Sequence, residues 1–281
     1  MENAARESER LLCLLLDIPR VSLILDPDRR LDAGSCLRLD ALLDRRICGE
    51  PLQHIEGTVE FREIVIGSDR RALIPRPETE QLVELITRWA RERPGAGKAS
   101  RDRAAAAPPI GTVLDVGTGS GVIALSLLSE GTAARAIGID ISRDALALAR
   151  DNRRLAGMEG RLELLACDVD PLRSFAARPA FDVIVSNPPY VRTAELDRLP
   201  TEVRDHDPHA ALDGGTDGLA VIRRIAAGAR ERLFSGGGLF LEIGAEQAES
   251  VVSILERSGP WRSVSVRRDL AGRDRFVAAE C

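Results

Sequence analysis

Aromatic residues are nearly missing from this chain: six Phe, two Trp and one Tyr make up 3% of 281 residues. The core must therefore be packed mostly from Leu, Val, Ile and Ala. A cysteine framework is missing too. Cys13, Cys36, Cys48, Cys167 and Cys281 form no CxxC pair, which points to reduced thiols in a cytoplasmic protein and against a disulfide scaffold or a zinc site. The three histidines stand at 54, 206 and 209. His206 and His209 share a segment, but no cysteine or second ligand pair accompanies them, so no metal site is expected. The longest early apolar run, LLCLLL at 11–16, is too short to cross a bilayer and follows a Glu-containing start; neither a signal peptide nor a membrane anchor is expected. Positive charge is not in excess either. A net charge of −5 and a pI near 5.5 argue against a protein that works through unspecific phosphate contacts, so no nucleic-acid substrate is expected. The arginine pairs, such as 29–30, 70–71 and 223–224, read as solvated surface.

What is present is ordinary for a soluble globular chain: 44% hydrophobic and 30% charged residues. The length suits one large domain and one small one, expected as a monomer. Leucines broken by Pro19 and Pro27 predict a small helical domain over 1–50. Residues 51–77 read as a β-hairpin connector, with strand alternation over 61–74 and a turn near Gly67–Asp69. A helix is predicted over 78–93, and the Pro-, Gly- and Ala-rich stretch 94–109 reads as a flexible loop. From Thr112 strands alternate with helices: strands at 112–117, 134–140, 161–167, 181–187 and 238–244, helices at 120–130, 142–156, 217–233 and 245–258. The chain ends in a hairpin-like pair, 261–269 and 273–280. The fold class is therefore α/β, a mostly parallel Rossmann-like sheet covered on both faces, with an antiparallel edge. Residues 78–281 would form this larger domain.

LDVGTGSG places Gly117, Thr118, Gly119, Ser120 and Gly121 where a strand turns into a helix. Glycines allow the tight turn and the close approach of a ligand. Asp140 ends the next strand, about twenty residues on, where an acid accepts hydrogen bonds from both hydroxyls of a ribose. Asp168 follows the third strand, placed to read an adenine amino group, with Val169 as apolar cover. The turn is GxGxG and lacks the GxGxxG spacing that seats a pyrophosphate, which favours S-adenosylmethionine over a dinucleotide and disfavours an oxidoreductase.

VSNPPY (185–190) ends the fourth strand on a rigid elbow, because neither proline can donate to a ladder. The elbow faces the cofactor's methyl group. Asn187 offers a side-chain carbonyl, Pro188 a backbone carbonyl; together they grip both hydrogens of a planar NH2 group, and Tyr190 packs on its plane. Taken alone, NPPY is a proline turn capped by Asn.

Together with the glycine turn, this elbow resembles the methyltransferases that modify planar nitrogens, of adenine or of glutamine. PLQHIEG, LIPRPETEQLVE, DPHAALDGGTDGL, EIGAEQ and DLAGRDRFV narrow the resemblance to the HemK/PrmC-type release factor glutamine methyltransferases, from about Pro51 to the C-terminus. His54 departs from the pattern, standing where the family usually has Tyr. The resemblance implies methylation of the N5 nitrogen of the glutamine in the GGQ loop of peptide chain release factors. It also implies cofactor contacts from the 117–121 turn, Asp140, Asp168, Val169 and Asn187, and substrate contacts from Asn187, Pro188, Pro189 and Tyr190. The helical domain and the Arg76–Glu80 segment would help to hold the release factor. The rival readings are an adenine-N6 methyltransferase, which would want a basic groove, and a non-catalytic binding factor on the same fold.

Overall fold

The computed structural model describes residues 2–93, 108–168 and 181–281. Four helices open the chain: α1 (Glu2–Leu16), α2 (Arg20–Leu25), α3 (Ala33–Ile47) and α4 (Leu52–Glu56). Asp32 caps α3 by accepting the Ser35 N–H at 2.8 Å, which satisfies a donor the first turn leaves free. Leu52 and Ile55 of α4 pack with Leu11 of α1 and with Leu39, Leu42 and Leu43 of α3. The helical layer thus runs past residue 50. Pro51 reads as a break in the sequence but is the N-cap of α4, where a missing N–H does no harm.

Strands β1 (Thr58–Phe61) and β2 (Ile64–Gly67) form an antiparallel hairpin in which Phe61 faces Ile64. Its turn is Arg62–Glu63, and not the Gly67–Asp69 stretch that the composition suggested. Arg62 adopts φ +51°, a conformation that costs an L-residue roughly 1–2 kcal/mol. It is held there by ion pairs to Glu130 and, at 3.0 Å, to Glu84, and by a bond to the Glu80 carbonyl at 3.1 Å. Helix α5 (Pro77–Glu92) follows, with proline in its first turn beside Glu78 and Glu80.

The larger domain continues with β3 (Ile110–Val116), α6 (Val122–Ser129), β4 (Ala133–Asp140), α7 (Arg143–Leu155), β5 (Leu162–Ala166) and β6 (Phe181–Ser186). Then come a short 3-10 helix at Thr193–Arg198, α8 (Thr201–Arg204) and α9 (His209–Leu212), none of them anticipated. The chain closes with α10 (Ala220–Arg232), β7 (Leu233–Glu242), α11 (Ala248–Ser258), β8 (Ser263–Arg268) and β9 (Asp274–Glu280). β7 begins five residues before the expected strand. The 94–109 loop lies outside the described residues except for 108 and 109.

The strands form one seven-stranded sheet in the order β5-β4-β3-β6-β7-β9-β8. β3 to β7 pair in parallel, and β9 runs antiparallel between β7 and β8. Period-two alternation sends Val113, Val183 and Phe240 to one face, under Leu82 and Ile86 of α5 and Ile123 and Leu127 of α6. Leu114, Ile184, Leu239 and Leu241 go to the other, under Ile222 and Ile225 of α10 and Val251 and Leu255 of α11. Trp89 meets Phe240 edge-on at 5.1 Å. Among the described residues no helix is long and apolar enough to cross a membrane.

The sheet grows from β3 toward β5 on one side, and β6 then returns to the other side of β3. At such a reversal the connections diverge, and the carboxyl ends of the two strands flank a crevice.

Candidate active site

A cavity of about 500 Å³ occupies this crevice, an ordinary size for a small-ligand site. One wall is the turn after β3. Gly117, Gly119 and Gly121 take φ of +69°, +57° and +84°, left-handed values that glycine adopts without the strain other residues pay. The N–H groups of Gly117 and Thr118 both reach the Ile139 carbonyl, at 2.8 and 2.9 Å, stitching the turn to the end of β4. Gly117, Thr118, Gly119 and Ser120 border the cavity, whereas Gly121 does not. A Cβ on Gly121 would lie 3.4 Å from that of Ala149, so this glycine serves the packing of the turn on α7.

Asp140 is on the same wall. Its two oxygens accept the N–H groups of Gly119 at 2.9 Å and Ser142 at 2.8 Å, and each keeps a lone pair for a further donor. Burial pushes its carboxyl above the usual range, against the pull of these N–H groups. Asp168 also borders the cavity, but its carboxylate pairs with Arg224 of α10 at 2.6 Å. Val169 lies outside the described residues.

The elbow forms the facing wall. Ser186 closes β6 by donating its hydroxyl to the Val116 carbonyl at 2.6 Å, and Asn187, Pro188 and Pro189 border the cavity. Asn187 donates its Nδ2 to Thr79 Oγ1 at 3.1 Å, and that hydroxyl donates to Glu242 Oε2 at 2.8 Å. Behind the elbow, Gln247 donates its amide to the carbonyls of Tyr190 at 3.0 Å and Gly218 at 3.3 Å. The Val191 N–H reaches the Leu212 carbonyl at 3.0 Å, and the Gly214 N–H reaches the Val191 carbonyl at 2.8 Å. The DGGTDGL and EIGAEQ stretches are thus a clamp on NPPY.

Two residues expected to touch substrate are not among those that border the cavity. Tyr190 is not on the cavity wall; it is largely buried beside Glu242, Arg275 and Arg76, and burial raises its phenol. Glu80 turns to the β1–β2 hairpin, where its carboxylate accepts the Arg62 N–H at 3.3 Å. The reason is helical geometry: one step beyond Thr79 rotates a side chain by about 100°. Arg76 does border the cavity, and it is tied to the buried carboxylate of Asp207 at 2.6 Å.

These two walls invite comparison with known proteins. A family model described as a methyltransferase domain matches residues 110–227, and one described as the PrmC N-terminal domain matches residues 1–57. A release factor glutamine methyltransferase of Cereibacter sphaeroides is 41% identical over 280 residues, 99% of this chain and 92% of that one. This chain belongs to the release factor glutamine methyltransferase family. Another member, from Bradyrhizobium diazoefficiens, is 38% identical over 279 residues, 99% of this chain and 89% of its own. Among solved structures, a candidate SAM-dependent methyltransferase from Streptococcus mutans shares the fold, with a TM-score of 0.50, 13% identity, and coverage of 80% of this chain and 55% of that one.

In this release factor glutamine methyltransferase, Asp115, His209, Arg224 and Glu242 had no expected role, and Thr79 was expected only as part of the Arg76–Glu80 segment that would hold the release factor. Asp115 is fully buried beneath the glycine turn. Its Oδ2 accepts from Thr118 Oγ1 at 2.7 Å and from the Ala124 N–H at 3.3 Å, while Oδ1 has no partner among the described residues. Burial pushes its carboxyl up to about 7. The signal was an acid two residues before the first glycine of LDVGTGSG. Thr79 and Glu242 sat in plain view inside IPRPETE and EIGAEQ, but nothing local tells that they meet.

Proposed function

We propose that this chain transfers the methyl group of S-adenosylmethionine to the side-chain nitrogen of the glutamine in the GGQ loop of peptide chain release factors. One observation carries the reading: the glycine turn with Asp140 and the Asn187–Pro189 elbow are two walls of one cavity. The residues present suit the cofactor. No atom stands within 4 Å of where a Cβ on Gly117 would be, so a ligand can approach the main chain. Asp140 keeps lone pairs for two ribose hydroxyls, and Ile141, 67% exposed on the wall, offers an apolar face to a purine.

The bound cofactor supplies an electrophilic methyl group on a sulfonium sulfur. An amide nitrogen is a weak nucleophile because its lone pair is shared with its carbonyl. Asn187 Oδ1 and the Pro188 carbonyl accept its two N–H groups and hold the nitrogen in line. Acceptors fixed there before reaction favour the positive charge that grows on nitrogen during attack. The prolines keep the backbone acceptor from swinging away. With the cofactor bound, forming the N–C bond would leave the electron pair of the broken C–S bond on sulfur. The extra proton on nitrogen then leaves to water, so no side chain need act as a base. The helical layer and Arg76 help to hold the release factor.

Mass spectrometry of the GGQ peptide, after a release factor is incubated with enzyme and S-adenosylmethionine, tests this directly. Methylated adenine-containing DNA with an unmodified release factor would overturn the glutamine assignment. Asp140→Ala is expected to weaken S-adenosylmethionine binding by about 1.5–3 kcal/mol, the worth of a hydrogen bond to a charged group. Calorimetry that finds parent affinity would remove Asp140 from the site.

A further inference from the structure

We infer that Thr79 and Glu242 are positioning residues that lock the side-chain amide of Asn187 with its oxygen toward the substrate. The inference rests on the glutamine chemistry proposed above.

Three elements meet in this relay: the end of β7 brings Glu242, the first turn of α5 brings Thr79, and the elbow after β6 brings Asn187. Thr79 and Glu242 are buried, with 3% and 1% exposure. An ionised carboxylate can only accept, so the single hydroxyl hydrogen of Thr79 is committed to Glu242 Oε2, at 2.8 Å. The Thr79 oxygen is then left as an acceptor toward Asn187, and the group facing it at 3.1 Å has to be Nδ2. An amide turned the other way would set two acceptors against each other in a buried place, which is costly. The two ends of an Asn amide are nearly equal in size, so packing alone does not choose between them. The charge on Glu242 chooses, through Thr79. The outcome matters because the wrong end would present a donor to the N–H groups of a substrate amide.

The lock is sensitive to protonation. Glu242 is faced by Arg275 from β9, by Arg76 and Glu78 at the start of α5, and by Tyr190 from the elbow. Burial outweighs the two cations and pushes its carboxyl up to about 7. Below that pH Glu242 is protonated and can itself donate to Thr79. The Thr79 hydrogen is then free to turn toward Asn187, and the amide loses its preference. Transfer should therefore rise with pH through about 7.

The test uses the full chain with a release factor as substrate. Thr79→Val keeps the shape and removes the hydroxyl; kcat is expected to fall roughly 10- to 100-fold, as misaligned groups cost, with KM for the release factor and S-adenosylmethionine affinity little changed. Thr79→Ser should restore most of the rate. Thr79→Val added to Asn187→Ala should lower kcat no further, because both remove one interaction. Glu242→Gln keeps an acceptor oxygen but cannot ionise, so the rise in rate near pH 7 should vanish. Independently of catalysis, the side-chain amide NMR signals of Asn187 should move with pH through about 7 in the parent and stay fixed in Glu242→Gln. Parent kcat in Thr79→Val, multiplying losses in the double variant, or an unchanged pH profile in Glu242→Gln overturns the lock while the substrate reading stands. A parent chain that leaves the release factor unmodified overturns the substrate reading, and the lock falls with it.

Discussion

Asn187→Ala is expected to lower methyl transfer by about 10²–10³, or about 2.7–4 kcal/mol, while S-adenosylmethionine binds nearly as in the parent. The asymmetry follows from where the side chain is fixed. Its nitrogen is spoken for by Thr79 at 3.1 Å, so what the cavity gains from Asn187 is an oxygen, and an oxygen aimed at the amide serves the transition state more than the resting complex. Single-turnover transfer to a release factor, set beside calorimetry of cofactor binding, separates the two effects. Pro188→Ala should cost less, since the carbonyl remains and only its rigidity is lost. Tyr190→Phe should be mild and Tyr190→Ala severe, the latter because a largely buried ring beside Glu242 and Arg275 is removed. An Asn187→Ala enzyme at the parent rate would sink the mechanism.

Gly218→Ala should be the most damaging alanine replacement among the described glycines. Gly218 has φ +75°, and a Cβ there would sit 2.4 Å from the Tyr190 carbonyl oxygen and 2.6 Å from Gln247 Nε2. The left-handed backbone costs about 1–2 kcal/mol and overpacking about 1–3 kcal/mol more, so stability should drop by about 2–5 kcal/mol. Urea unfolding measures it, with an unchanged slope if the two end states keep their compactness. Gly131→Ala is the control, with φ +68° and nothing within 4 Å of the added carbon; it should lose the backbone share alone. What folds of Gly218→Ala should transfer poorly, because the backbone it strikes belongs to the elbow. Equal losses in the two variants would mean that the clamp yields at little cost.

Much of this architecture was legible because strands buried on both faces are mostly apolar, and β3 and β6 run out at the glycine turn and at NPPY. TVLDVG and FDVIVSN could hardly be read otherwise, and the pairing of Asp115 with Val185 puts their ends where the chemistry of NPPY needs them. Less was legible where long-range contacts overrule composition. Arg62 turns the hairpin although glycine waits at 67, because acidic side chains from α5 and from the residue capping α6 converge on it. The short helices at 193–212 could not be anticipated, although DPHAALDGGTDGL stands out as a motif, because they have no apolar period and their order comes from contacts of Asp207, Asp213 and Gln247. Thr79, Glu78 and Glu80 are neighbours in one motif, and only the helix's rotation decides that the threonine alone meets Asn187.

An open sheet is exposed to its own kind, because an unpaired strand edge is a template for another chain. Here the outermost strand on one side is β8, short, and bounded by the ion pairs Arg262–Glu280 and Arg268–Asp274. A second copy laid along that edge would meet charged, hydrated guanidinium groups at both ends of the strand. Charge at its two ends makes this edge a poor template for a further strand.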